Sequence, residues 1–238
     1  MTKRNSLNSS KIHNEKLEII CGIDEAGRGP VLGPMVLCGV CFNREKLDFL
    51  SEIGVKDSKK LSSKKRSELS KLIKANCYSY KVLIISAKEI DQREEKRITI
   101  NRLEELKMAE IINELKPAII YIDAADVNEE RFGNSIKKLI EYSPKQIISK
   151  HKADDAYPIV SAGSIIAKDI RDNLLEELKE KFGDFGSGYP SDIRTTNFLR
   201  EWIKKNKKPP SFARKSWDTT KKILNEEVEN KKITDYFN

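Results

Sequence analysis

The chain has 238 residues, enough for one sizeable core or for a core with a small appended domain. Hydrophobic residues make up 38% and charged residues 34%, a balance that fits a globular chain, and no stretch approaches the roughly 18 apolar residues of a membrane span. The net charge of +8 favours a polyanionic partner, because lysines and arginines displace counterions from phosphates.

Met1 to Leu17 is polar and lacks the apolar centre of a signal peptide, so residues 1–17 read as a flexible tail and the expected location is the cytoplasm. Leu17 to Asp24 reads as a strand, followed by the glycine-rich turn Ala26-Gly-Arg-Gly-Pro30. Met35 to Phe42 reads as a second, buried strand. It carries Cys38 and Cys41, and Cys21 and Cys77 lie elsewhere. No second pair stands at zinc spacing and His13 and His151 are distant, so the thiols read as buried apolar groups. Ser62 is a good N-cap for a helix to about Ala75, and Tyr78 to Ser86 reads as a third strand. Ile98, Leu103, Leu106, Ile111 and Leu115 repeat at helical spacing, and Pro117 stops that helix. Ala118 to Asp123 is a short apolar strand, followed by a helix from about Glu129 to Tyr142 and a strand from Gln146 to Lys150. Pro158 opens a long helix to about Phe182, since proline is well placed in a first turn. Beyond Gly183 come loops and short helices, around Thr196 to Lys205 and Thr219 to Asn230. Strands interleaved with helices predict an α/β core, and several strands ahead of the first long helix predict a mixed sheet.

Three apolar strands or their exits deliver carboxylates: Asp24 with Glu25, Asp123, and Asp154 with Asp155. A lone Asp at a strand end is usually a cap or a turn residue. Several converging from separate strands repel one another unless a cation intervenes, and an all-oxygen donor set suits Mg2+ or Mn2+. Two such ions would activate water and stabilise the leaving oxygen of a phosphodiester. The glycines beside Asp24 and Glu25 let backbone approach a ligand, and Arg28 offers a fork for phosphate.

Gly22-Ile-Asp-Glu-Ala-Gly-Arg-Gly-Pro30 resembles the signature of type 2 ribonuclease H (ribonuclease HII). Four more segments are similar to that family in the same order. They are Val55-Lys-Asp-Ser-Lys-Lys-Leu61, Ile122-Asp-Ala-Ala-Asp-Val-Asn128, Lys152-Ala-Asp-Asp-Ala-Tyr-Pro158 with the helix through Ala167 and Lys168, and Gly186-Ser-Gly-Tyr-Pro-Ser-Asp192. The resemblance spans most of residues 18–220, and its wording, with Ala213-Arg-Lys-Ser-Trp217, looks archaeal. It implies a ribonuclease H-like α/β core with a mixed central sheet flanked by helices over residues 18–185. A helical extension that helps hold substrate would follow over residues 186–229. The implied metal-binding, catalytic carboxylates are Asp24, Glu25, Asp123 and Asp154, the last preferred to Asp155 because it follows Lys152-Ala153.

The resemblance further implies that the Gly27, Arg28 and Gly29 backbone meets the ribose 2'-hydroxyl, which distinguishes RNA from DNA. Tyr189 would pack on the sugar beyond an RNA-to-DNA junction, and Lys59, Lys168 and Arg171 would contact phosphates. The implied activity is cleavage of the RNA strand of RNA/DNA hybrids and 5' of single ribonucleotides in duplex DNA, leaving 3'-hydroxyl and 5'-phosphate ends. That is work for replication and ribonucleotide excision repair, and the family's usual form is a monomer. A non-catalytic hybrid-binding module would share the charge without needing all four carboxylates.

The sequence departs from the family pattern at Gly163, Asp169 and Ile193, where alanine, an apolar residue and proline are usual. Asn230-Lys-Lys-Ile-Thr-Asp-Tyr-Phe237 resembles a sliding-clamp-binding peptide, with Asn230 in place of glutamine. Residues 230–238 are therefore expected to place Ile233, Tyr236 and Phe237 in one apolar pocket of a clamp. The alternative is a tail that packs on its own protein.

Overall fold

The computed structural model describes residues 17–55 and 61–229. Two apolar strands, β1 (Ile19–Ala26) and β2 (Met35–Asn43), are buried along nearly their whole length, which suits the middle of a sheet. β2 runs antiparallel to β1 and to β3 (Ser79–Ile85). On the other side β1 pairs in parallel with β4 (Ile119–Asp123), which pairs in parallel with β5 (Gln146–Lys150). The order β3-β2-β1-β4-β5 is the mixed sheet that the strand-first sequence predicts.

Helices cover both faces. In chain order they are α1 (Asp48–Glu52), α2 (Ser63–Asn76), α3 (Ala87–Glu95), α4 (Ile100–Leu115), α5 (Glu129–Lys137), α6 (Ala153–Ala156) and α7 (Pro158–Phe182). They are followed by α8 (Ile193–Asn206) and α9 (Asp218–Leu224), and a π-helical turn, Asn225–Glu229, continues α9. One core joins β1 and β2 to α7 and α2 through Cys38, Val40, Phe42, Ile73, Val160 and Ile166. A second lies on the opposite face, where Ile23, Leu37, Met108, Ile112, Ile122 and Phe132 bring α4 and α5 onto the sheet. No helix among the described residues is long and apolar enough to cross a membrane.

Boundaries moved where capping decided them. α4 starts at Ile100 because the Thr99 side chain accepts the Arg102 N–H, two residues after the sequence-based start. α5 ends at Lys137, short of Tyr142, whose hydroxyl instead donates to the Pro117 carbonyl at 2.8 Å. The helix α3 has too few apolar residues to announce itself by periodicity. Its start is nonetheless written in Ser86-Ala-Lys-Glu89, where the serine caps the Glu89 N–H. Cys21, Cys38 and Cys41 are buried free thiols, as their apolar setting predicts.

A third apolar cluster makes the helical C-terminal region part of the same body. Phe182, Phe185, Phe198 and Phe212 stack around it, with Phe182 and Phe212 centroids 4.8 Å apart. Val31 and Leu32, from the segment between β1 and β2, are buried in this cluster. Backbone bonds fasten them there: Val31 N–H to Gly188 O at 2.8 Å, Gly33 N–H to Phe212 O at 2.9 Å and Arg214 N–H to Val31 O at 2.9 Å.

Two glycines let α7 lie unusually close to the central strands. A Cβ on Gly22 would overlap the Ile159 carbonyl, and one on Gly163 would stand 3.1 Å from the carbonyl oxygens of both Cys38 and Gly22. Gly163, where the resemblance leads alanine to be expected, thus has a packing role that offsets its helix cost of about 1 kcal/mol. The other departures have equally local settings: buried Asp169 faces Lys74 of α2 at 3.8 Å, and Ile193 is the exposed first residue of α8. Gly22→Ala should lower the stability measured by chemical denaturation by about 1–3 kcal/mol, the usual cost of overpacking. An unchanged midpoint would mean that α7 can stand off the sheet without penalty.

Candidate active site

β1 and β4 run in parallel, with Ile23 opposite Ile122, so Asp24 and Asp123 occupy the next positions on neighbouring strands. Alternation turns these two toward the α7 side and Glu25 toward the α4 side. The short helix α6 follows β5 through Lys152, which is left-handed at φ 54°, and the Ala153 N–H donates to Asp123 Oδ1 at 2.8 Å. Of the adjacent pair at its start, Asp154 is buried and Asp155 exposed. The Ser161 hydroxyl of α7 donates to the Asp154 carbonyl and ties α6 to the long helix.

The acids strain one another electrostatically. Burial raises the Asp24 pKa well above the ordinary range, and the charges of Glu25 and Asp123 raise it further; Ser164 and Lys168 of α7 oppose the shift. Glu25 is pushed up to about 8, first by burial and then by Glu104 and Asp123, with Arg28 opposing. Its Oε2 is buried without a hydrogen-bond partner. Among the described residues no three acidic, histidine or thiol groups already stand as a ligand set. The donor chemistry, the mutual repulsion and the orphaned Glu25 oxygen fit a hard divalent cation.

Gly27, Arg28 and Gly29 follow at once. Gly27 has φ +84°, and a Cβ there would overlap the Arg171 side chain, so only glycine fits. The Arg28 guanidinium turns toward α4, where its Nε donates to Glu104 at 3.0 Å and its Nη2 to Asn101. Glu104 is fully buried, with a pKa raised by burial to about 7 despite the Arg28 and Arg214 charges. Asn101 passes the link on, donating to Asp126 at 3.0 Å in the segment after β4.

Tyr189 is 41% exposed, and its ring lies against Gly29, 3.6 Å from where a Cβ would be. Arg171, expected at a phosphate, is instead 6% exposed beneath that ring, with its guanidinium carbon 5.8 Å from the centroid and its Nε donating to Pro34 O at 3.2 Å. Gly27 and Tyr189 lie over it and keep it from solvent. Lys168 is half-buried and close enough to Asp24 to favour its ionised form. Lys59, Ile233, Tyr236 and Phe237 lie outside the described residues.

The structure adds residues that the sequence reading passed over. Arg214 is completely buried and donates to three carbonyls of the loop after β1. Burial, with Arg171 nearby, lowers its pKa to about 9, so it stays charged at neutral pH. Trp217 donates its indole N–H to Gly29 O at 3.2 Å, with Arg93 and Arg214 both packed on its ring. Glu104 had a legible signal: it shares the α4 stripe of Met108, Ile111 and Ile112, where a carboxylate is out of place unless paired. Arg214 and Trp217 had none beyond the family likeness, because no periodicity marks their segment as buried.

Residues 21–220 match the family described as Ribonuclease HII. The Ribonuclease HII of Methanocella arvoryzae is 48% identical over 211 residues, covering 88% of this chain and 93% of that one. Among solved structures, ribonuclease H2 from Pyrococcus horikoshii superposes with a TM-score of 0.84 at 42% identity, over 89% of this chain and all of that one. Ribonuclease HII of Archaeoglobus fulgidus, solved in complex with PCNA, gives a TM-score of 0.79 at 43% identity, over 91% and 99% of the two chains.

The raised carboxyl pKa values fix a sign for stability. A carboxyl whose folded pKa exceeds its unfolded value contributes stability below the unfolded pKa and loses it as pH rises through the folded one. For Glu25 that window runs from 4.5 to about 8. The metal-free protein should therefore melt at falling temperature across this range. Asp24→Asn should raise the melting temperature at pH 8, by about 3 °C for each kcal/mol of relieved repulsion. Thermal melts with chelator check this; a lower melting temperature for the variant at pH 8 would contradict it.

Proposed function

The chain belongs to the ribonuclease HII family, and on that premise we propose that it is a metal-dependent endonuclease cutting the RNA strand of RNA/DNA hybrids. We extend the proposal to single ribonucleotides embedded in duplex DNA, cut on their 5' side to leave 3'-hydroxyl and 5'-phosphate ends. The observation that carries it is the gathering of Asp24, Glu25 and Asp123 at the exits of two parallel strands, where Glu25 and Asp123 raise the proton affinity of Asp24 and Asp123 raises that of Glu25. A fold gains nothing from such repulsion, which is tolerated where an ion relieves it.

Asp24, Glu25, Asp123 and Asp154 would hold the metal. Two Mg2+ or Mn2+ ions, when bound, supply charge neutralisation at the phosphodiester and activation of water. The chain's own residues do the rest. Lys168 works against the upward shift of the Asp24 pKa. The Gly27–Gly29 backbone lies beside Asp24 and Glu25, where a ribose 2'-hydroxyl would meet it, and Arg28 is held in place by Glu104. The half-exposed Tyr189 ring offers a face for the neighbouring sugar. Residues 186–229 would form one wall of the groove, with exposed lysines facing backbone phosphates. Arg171 supports Tyr189 from below in this reading and does not itself contact a phosphate.

The C-terminal tail supports a second proposal. Its likeness to a clamp-binding peptide, with the Archaeoglobus relative solved on PCNA, supports binding of a sliding clamp through Ile233, Tyr236 and Phe237.

A strand-labelled DNA duplex with one internal ribonucleotide, incubated with Mg2+ or Mn2+, tests the activity. We expect one cut just 5' of the ribonucleotide, and a loss of at least about a thousandfold in Asp24→Asn, in line with removal of a group needed in the transition state. Cutting only of long RNA/DNA hybrids would remove the single-ribonucleotide claim. Cleavage of neither would leave a hybrid-binding module. Deleting residues 230–238 should abolish clamp pull-down and leave cleavage of short duplexes unchanged; pull-down that persists would end the clamp proposal.

A further inference from the structure

We infer that Arg214 is a positioning residue for ribose recognition: from beneath the loop after β1 it fixes the backbone so that the Arg28 and Gly29 amides face the substrate. The inference rests on the proposed substrate reading and assigns part of its specificity to a side chain about 190 positions further along the chain.

Arg214 is 0% exposed, and its hydrogen bonds go to backbone carbonyls rather than to a carboxylate. Its Nη2 donates to Gly27 O at 2.5 Å, its Nη1 to Arg28 O at 2.6 Å and its Nε to Gly33 O at 3.2 Å. A peptide unit is planar and trans, so its C=O and N–H point in opposite directions. Holding the Gly27 carbonyl inward therefore aims the Arg28 N–H outward, and holding the Arg28 carbonyl aims the Gly29 N–H the same way. Neither N–H has a protein acceptor among the described residues.

Neighbouring side chains complete the clamp. The Trp217 indole holds Gly29 O, and Arg171 holds Pro34 O from the other flank. With these carbonyls engaged below, the outer side of the loop offers donors. A ribose 2'-oxygen can accept from them, and deoxyribose has no oxygen there. The two buried guanidiniums add positive potential under the same loop, which favours an electron-rich acceptor at its outer side. The three-carbonyl grip needs a planar fork, which a lysine ammonium does not provide.

The experiment measures affinity of the full chain, without metal, for two duplexes by fluorescence anisotropy. One duplex carries a single ribonucleotide and the other is all DNA. The parent protein is compared with Arg214→Lys and with Trp217→Phe, which removes the indole donor while keeping an aromatic ring. Circular dichroism checks folding, and Trp217→Phe decides the matter if Arg214→Lys does not fold. We expect the preference for the ribonucleotide duplex to shrink about tenfold in Arg214→Lys and several-fold in Trp217→Phe, the scale of one or two misaligned hydrogen bonds. Affinity for all-DNA duplex should stay within about twofold, since phosphate contacts carry no such discrimination. Equal loss on both duplexes, or a preference that survives in folded variants, overturns the inference and leaves the substrate reading standing. A parent protein with no preference overturns the substrate reading and the inference with it.

Discussion

How closely α7 lies on β1 and β2 sets almost every other position in this protein, because the helix runs past all parts of the site. Gly22 and Gly163 remove the side chains that would hold it away, and the backbones meet at Ile159 and Cys38. Its first turns then fasten α6 and Asp154, its middle brings Ser164 and Lys168 to Asp24, and Arg171 reaches under Gly27 and Tyr189. Its last residue, Phe182, enters the aromatic cluster of the C-terminal helices. A shift of the helix by the width of one methyl group would be felt at each of these points, since packed interiors transmit strain.

The electrostatics divide into two unlike halves. At the strand exits, carboxylates share a buried space, where burial and mutual repulsion raise the proton affinity of Asp24 and Glu25. Under the glycine loop, Arg171 and Arg214 are buried side by side, and the fold satisfies them with carbonyl oxygens. Both arrangements cost stability, and both place fixed charge where a phosphodiester and its ions would lie. Between them stands the Arg28–Glu104 pair, which joins the loop to α4 and, through Asn101 and Asp126, to the segment after Asp123.

Much of this was legible in residue order, and the exceptions have physical reasons. The apolar runs of β1, β2 and β4 named themselves, as did the proline-led start of α7, and the carboxylates at strand exits stood out against their apolar neighbours. The helix α4 was legible as a helix, but its buried face was not: Leu106 is 38% exposed while Glu104 and Glu105 are buried. Pairing permits that exchange: Glu104 with Arg28 from the loop after β1, and Glu105 with Arg102 one turn back on the same helix. Arg171 was expected at a phosphate, because nothing in the helix itself reveals that Tyr189 will cover it. Arg214 lies in a segment with no regular repeat, so its complete burial emerges only from the tertiary arrangement.

The loop after β1 has its strands from the first fifth of the chain and most of its supports from the last quarter. Val31 bonds to Gly188 and Arg214, Leu32 bridges to Ala213, and the Arg214 contacts to Gly33 and Gly27 span 181 and 187 positions. Contacts of such sequence separation form late, after the ordering entropy of the intervening chain has been met. During synthesis the central sheet can pair once β5 has emerged, while the glycine loop waits for Arg214 and Trp217. A growing chain therefore pairs its central strands well before the loop beside Asp24 and Glu25 is clamped, and that clamp closes only once the segment carrying Arg214 and Trp217 has been made.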